Sequence, residues 1–201
     1  LFEYADIAED RNIAREPRDT LTFDGATAEV AEASFAGDGD VIGLYGAMMR
    51  SAQMAGACEK ALAEAVQYAQ DRVQFGRPIG KFQAVQHQLA ALAAKSAQAT
   101  MAASSAFRAA DRSDPHFEVA CAKIVAGEAA ALAAAVSHQV HGAIGFTYEH
   151  SLHFATRRLW SWRPEFGSET RWAAELGRRT AARGPAALWS DLTERQSGKA
   201  A

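Results

Sequence analysis

Tyr68-Ala69-Gln70-Asp71-Arg72-Val73-Gln74-Phe75-Gly76-Arg77-Pro78-Ile79-Gly80-Lys81-Phe82-Gln83 is the stretch that decides how this chain of 201 residues folds. It closes one helical pattern and opens another. Upstream, Leu44, Met48, Ser51, Ala55, Cys58, Leu62, Ala65 and Ala69 recur at spacings of four and three, which lines them on one face of a long helix. Asp40 stands where a capping side chain is wanted. Gly76 and Pro78 break the pattern. Downstream, Phe82, Val85, Leu89, Leu92, Ala99 and Ala103 share one side of a second helix running to about Asp111.

Working outward, a third helix is expected from Phe117 to His141, interrupted by Gly142 and Gly145. An amphipathic fourth segment follows from Glu149 to Trp162, then a short helix from Glu169 to Arg183. Long Ala-rich helices joined by short loops predict an all-α, up-and-down helical bundle, because small side chains let helix axes approach closely. The bundle is expected over 41–185, with a polar tail over 186–201. Residues 1–40 read differently. Pro17, Gly25, Gly37 and Gly39 punctuate short alternations at Leu21–Phe23 and Val30, so this region reads as a remnant of a β domain, too short to close a sheet alone.

Composition narrows the chemistry. A formal charge of −3 gives no electrostatic reason to expect nucleic acid or an anionic membrane. The apolar stretches are interrupted by charges, so no membrane span is expected, and the opening residues carry no basic leader or apolar signal core. Together these point to a cytoplasmic protein in which Cys58 and Cys121 are reduced thiols. The pairs His138/His141 and His150/His153 lack the companion ligands that a di-iron or zinc site needs, so no metal is expected. Ser137 and His138 are adjacent on a helix and cannot face each other as part of a triad. No phosphate-cradling glycine motif occurs. The interleaved bases and aromatics from Arg157 to Arg163 read as the charged face of a packed helix.

Two stretches go further. The one quoted above continues Gln83-Ala84-Val85-Gln86-His87-Gln88-Leu89-Ala90, and a second reads Gln139-Val140-His141-Gly142-Ala143-Ile144-Gly145-Phe146-Thr147-Tyr148-Glu149-His150. With the spacing between them, they resemble the acyl-CoA dehydrogenase family over about residues 41–180. The resemblance implies the family's C-terminal helical bundle, with residues 1–40 as the end of its middle β domain. It also implies FAD as cofactor, and that Arg72, Gln74, Phe75, Gln83, Gln139 and Gly142 reach across a subunit interface to an FAD held mainly by the neighbour. Residue chemistry agrees. A guanidinium with oriented amides suits a pyrophosphate, amide side chains suit a nucleotide edge, and glycine permits close approach.

The chain departs from the family at the base, a glutamate that removes the α-proton of the acyl thioester while the β-hydrogen leaves as hydride to the flavin. Counting without gaps from Gln139 and Gly142 puts that glutamate's position on Phe166, with the glycine that follows it on Gly167. A second subgroup keeps its glutamate in the first helix, where counting back from Phe75 reaches Gly46, followed by Ala47 in place of the usual arginine. Glu165 lies one residue from the first position and is the candidate base, since a one-residue shift on a helix turns a side chain by about 100°. The expected function is therefore a subunit of a flavin-dependent acyl-CoA dehydrogenase, an oxidoreductase of acyl-CoA thioesters, that contributes FAD-binding residues and lacks its own base. Homo- or hetero-oligomeric dehydrogenase subunits and an electron-transferring flavoprotein are the expected partners. The alternatives are a self-sufficient homo-oligomer using Glu165 and a structural bundle without flavin.

Overall fold

A computed structural model describes residues 5–27, 29, 40–112 and 114–193. Val30, Gly37 and Gly39 lie outside them. Strands β1 (Ala5–Ala8) and β2 (Thr20–Phe23) pair antiparallel, with Ala5 opposite Phe23. Helix α1 (Val41–Asp71) follows, its first turn capped by the Asp40 carboxylate accepting from Gly43 N at 2.8 Å. A minimal hairpin of β3 (Val73–Gln74) and β4 (Arg77–Pro78), then a 3₁₀ turn, leads into α2 (Gln83–Ala110). Helix α3 (His116–His141), a 3₁₀ turn over Gly142–Phe146, α4 (Leu152–Trp162), α5 (Glu169–Arg183) and α6 (Pro185–Thr193) complete the described chain.

Helix α3 is central, packing against α1, α2, α4 and α5. The reason is its composition. Ala122, Ala126, Ala129, Ala130, Ala133 and Ala134 are all buried, and so narrow a helix can be surrounded at close range. Ala126, Ala129, Ala130 and Ala133 meet Met54, Cys58, Ala65 and Ala69 of α1, Leu92, Ala99 and Ala103 of α2, and Leu159 and Trp162 of α4 in one cluster. The predicted α1 stripe is buried, except that Leu62 is only partly covered. Cys58 is enclosed there, and burial pushes its thiol up to about 12, so it behaves as an inert apolar side chain.

Two readings need correction. The segment through His116–Phe146 is, by length and composition, apolar enough to cross a membrane, although none was expected. Most of that stretch is buried as the bundle's central helix. The tail expected to be only polar contains α6. The segment between β1 and β2 is held to the bundle. Arg157 Nε donates to Ile13 O at 2.6 Å, and Trp162 Nε1 to Glu16 Oε2 at 2.8 Å. The bases of α4 are thereby used inside the protein. Arg158 pairs with Glu16, and Arg163 with Glu169.

Candidate functional site

At one end of the bundle, α1 closes and α2 opens around the β3–β4 hairpin. Its register leaves only Phe75 and Gly76 between the paired Gln74 and Arg77, a two-residue turn. The type I′ form of such a turn has positive φ at both central positions and matches strand twist, and φ is 54° at Phe75 and 78° at Gly76. Glycine accepts this freely, but a phenylalanine there is strained. The geometry drives the Phe75 ring outward, where it is 92% exposed and touches Phe82 edge-on at 6.1 Å. Arg77 covers the other ring, its guanidinium 4.2 Å from the Phe82 centroid.

Arg72 ends α1, its N–H returning to Tyr68 O and its carbonyl accepting from Ile79 N at 2.8 Å. The backbone is thus fixed while the guanidinium is exposed, with no hydrogen bond or ion pair to any described residue. Gln74 and Gln83 are exposed beside it, the Gln74 amide donating to Val73 O. Gln139 is an exposed residue in the last turn of α3, and Gly142 leaves that helix at φ 62°, with nothing within 4 Å of where a Cβ would stand. All six predicted cofactor residues are exposed and lie at the end of α1, in the hairpin, at the start of α2 or at the end of α3. The His141 ring lies tilted 4.6 Å from that of Tyr68 and edge-on 4.5 Å from that of His150, and His141 Nδ1 donates to Ser137 O, which leaves Nε2 as the acceptor. Burial keeps His141 below its ordinary range. Among the described residues no three His, Cys, Asp or Glu side chains are grouped to hold a metal ion.

The base positions lie elsewhere in the bundle, at the turn between α4 and α5. Phe166 takes φ 54° and Gly167 φ 98°, and the Phe166 ring, still 38% exposed, lies against Gly46 of α1. A Cβ on Gly46 would lie 2.7 Å from Phe166 Cγ. The two places where a base was sought are thus one place, filled by an apolar ring. Glu165, the neighbour, is occupied otherwise. Its Oε1 accepts from Arg18 Nε at 2.9 Å and Nη2 at 2.6 Å, and its Oε2 from Arg50 Nε at 2.6 Å. Arg50 also donates to Gln53 and lies 5.3 Å from the Trp162 ring. The turn is completed by Trp172 Nε1 donating to Phe166 O at 2.9 Å, and by buried Lys123. Arg18, Arg50 and Lys123 gave no signal in sequence, because each needs a partner far along the chain.

Comparison with known proteins agrees with this architecture. Residues 44–179 match the family described as acyl-CoA dehydrogenase, C-terminal domain. The chain is 40% identical over 112 residues to the acyl-CoA dehydrogenase IpdE2 of Mycobacterium tuberculosis, covering 56% of this chain and 34% of that protein. It is 38% identical over 151 residues to the acyl-CoA dehydrogenase FadE34 of the same organism, covering 74% and 21% respectively. A chain of the ChsE4-ChsE5 complex from that organism superposes with a TM-score of 0.80 at 24% identity, over 91% of this chain and 50% of that one, a likeness of fold. The chain thus spans about half or less of the length of the proteins it matches.

Proposed function

This chain belongs to the acyl-CoA dehydrogenase family, and on that premise we propose that it is a subunit that completes an FAD site on a neighbouring subunit without a base of its own. The assembly it serves carries out α,β-dehydrogenation of an acyl-CoA thioester. The contact that carries this reading is the Phe166 ring seated on Gly46, which puts hydrocarbon where a proton acceptor is required.

The residues fit the cofactor. Phe75 is a strained, 92% exposed ring, and Arg72 a charge without a described partner. Both are costly or idle in this chain alone and sensible if covered by a partner and its ligand. Arg72 would bind pyrophosphate oxygens, Gln74, Gln83 and Gln139 would donate to the nucleotide, Phe75 would exclude water, and Gly142 would allow close approach. FAD, when bound, accepts the hydride. The chain's own residues hold and orient it.

The self-sufficient alternative needs a free carboxylate at Glu165. Both its oxygens are committed to guanidinium groups, which weighs against it as a general base. A bundle without flavin leaves the exposed Phe75 and idle Arg72 with no purpose. The test is flavin content. The chain alone should purify colourless, and co-expression with a second family member that has the glutamate should give a yellow, active complex. Stoichiometric flavin and turnover in the chain alone would overturn the reading.

A further inference from the structure

Lys123 is the largest of the fully buried side chains described, at 0% exposure on the Ala-rich α3. Its ammonium donates to Arg163 O at 2.7 Å and to Gly167 O at 2.6 Å. These carbonyls bracket the turn between α4 and α5. Arg163 is the last cap of α4, and Gly167 precedes Ser168, the capping residue of α5. Phe166, just before Gly167, and Gly167 itself both take positive φ. Gly167 cannot be relieved by another residue, since a Cβ there would fall 2.9 Å from Trp172 Nε1. Orphan carbonyls at a helix end attract a cation, but solvent or a surface lysine would serve. Burying an ammonium costs far more than burying a methionine.

We infer that Lys123 is a positioning residue, tying both ends of the 163–167 turn and so keeping the Phe166 ring seated on Gly46. The inference rests on the reading that this ring closes the base position. The charged groups that act on Lys123 are Glu169 from α5, Glu165 and Arg163 from the turn, and Arg50 from α1. Burial dominates among them and lowers the ammonium to about 8, with the two carboxylates opposing and the two arginines assisting. Deprotonation replaces two charge-assisted bonds with neutral ones, which are about half as strong.

Hydrogen exchange on the full chain tests this. The Gly167 amide, bonded to Pro164 O, and the Trp172 indole N–H, bonded to Phe166 O, report the turn. In Lys123→Met both should exchange at least about tenfold faster while amides in the middle of α1 and α3 keep their protection. In the unsubstituted protein, the ratio of turn to core exchange should rise as pH passes about 8, and Lys123→Met should lack that rise. Turn and core moving together would reduce Lys123 to packing, and unchanged turn exchange would remove it from the turn altogether. Should Lys123→Met fail to fold, the pH dependence of the ratio in the unsubstituted protein decides alone. None of these readouts involves flavin or thioester, so this inference and the proposed function fail separately.

Discussion

The ring of Phe166 rests on the bare backbone of Gly46, although the two residues are far apart in sequence. The same dipeptide, Phe-Gly with both residues at positive φ, occurs again at Phe75-Gly76. One copy leaves its ring 92% exposed, and the other rests its ring, 38% exposed, against Gly46. Under the proposed function the first would be covered by a partner, and the second would occupy the base position. Backbone strain at both is consistent with function and not with stability alone.

The contact predicts coupling. Gly46→Ala puts a methyl into the Phe166 ring, and a tightly packed contact of this kind should cost about 1–3 kcal/mol in denaturant unfolding. Phe166→Ala empties the place, so the double variant should recover at least about 1 kcal/mol relative to the sum of the singles. Additive losses would mean that the ring and Gly46 do not meet in solution.

Arg72 should separate assembly chemistry from stability. Because its guanidinium bonds no described residue, Arg72→Ala should leave the unfolding midpoint of the chain almost unchanged. In the assembled complex the same change should weaken FAD binding about ten- to a hundredfold, the value of one charge-assisted contact. Arg72→Lys should recover only part, for want of a planar fork. Flavin titration of the complex gives the answer, and equal affinity in all three would make Arg72 an ordinary helix-end charge.

Glu16 ties the N-terminal segment to α4, and its protonation should release it. Burial alone would raise this carboxyl, but hydrogen bonds from Asn12, Trp162 and Arg158 and the charge of Arg18 outweigh it and hold it near 2. Its folded value is below its unfolded one. Its contribution is therefore full above about pH 4.5 and is lost as pH falls toward 2, amounting to about 1–2 kcal/mol after solvent screening. Glu16→Gln should be less stable than the unsubstituted protein at pH 7, with the gap closing below about pH 4. A gap independent of pH would show that the pairing contributes nothing.

The bundle was legible because helical spacing of apolar residues survives whatever the helices pack against. Leu44 through Ala69 marked the buried side of α1 without any knowledge of α3. Helix α6 was missed because Gly184-Pro185 reads as a stop. Gly184 does end α5 at φ 83°, but Pro185 starts the next helix, a position where its missing N–H costs nothing. The proposed cofactor face came only from resemblance, since exposure of Phe75 and the idle guanidinium of Arg72 are properties of the folded chain. Lys123 was invisible for the opposite reason. One lysine in an Ala-rich helix looks like a solvated charge until the α4–α5 turn is placed over it.

Glu165 decides whether this chain does chemistry. As a clamp it joins three parts of the molecule: Arg18 from the N-terminal segment, Arg50 from α1, and the turn that carries Phe166. Its side chain is 20% exposed, and removing its charge leaves two arginines facing each other across the gap. Glu165→Gln should then destabilise the chain by about 1–3 kcal/mol, because an amide can accept only one of these charge-assisted pairs and brings donors where acceptors are needed. Adding Arg18→Gln should cost less than it does alone, since its partner is already gone. Turnover of the assembled complex, compared at equal flavin content, should change by less than about threefold, whereas loss of a general base commonly costs about 10²–10⁴-fold. Steady-state rates and denaturant unfolding on the same preparations separate the two roles. A collapse in rate with the unfolding midpoint unmoved would make Glu165 the base, and would require the turn to open and free it from both arginines.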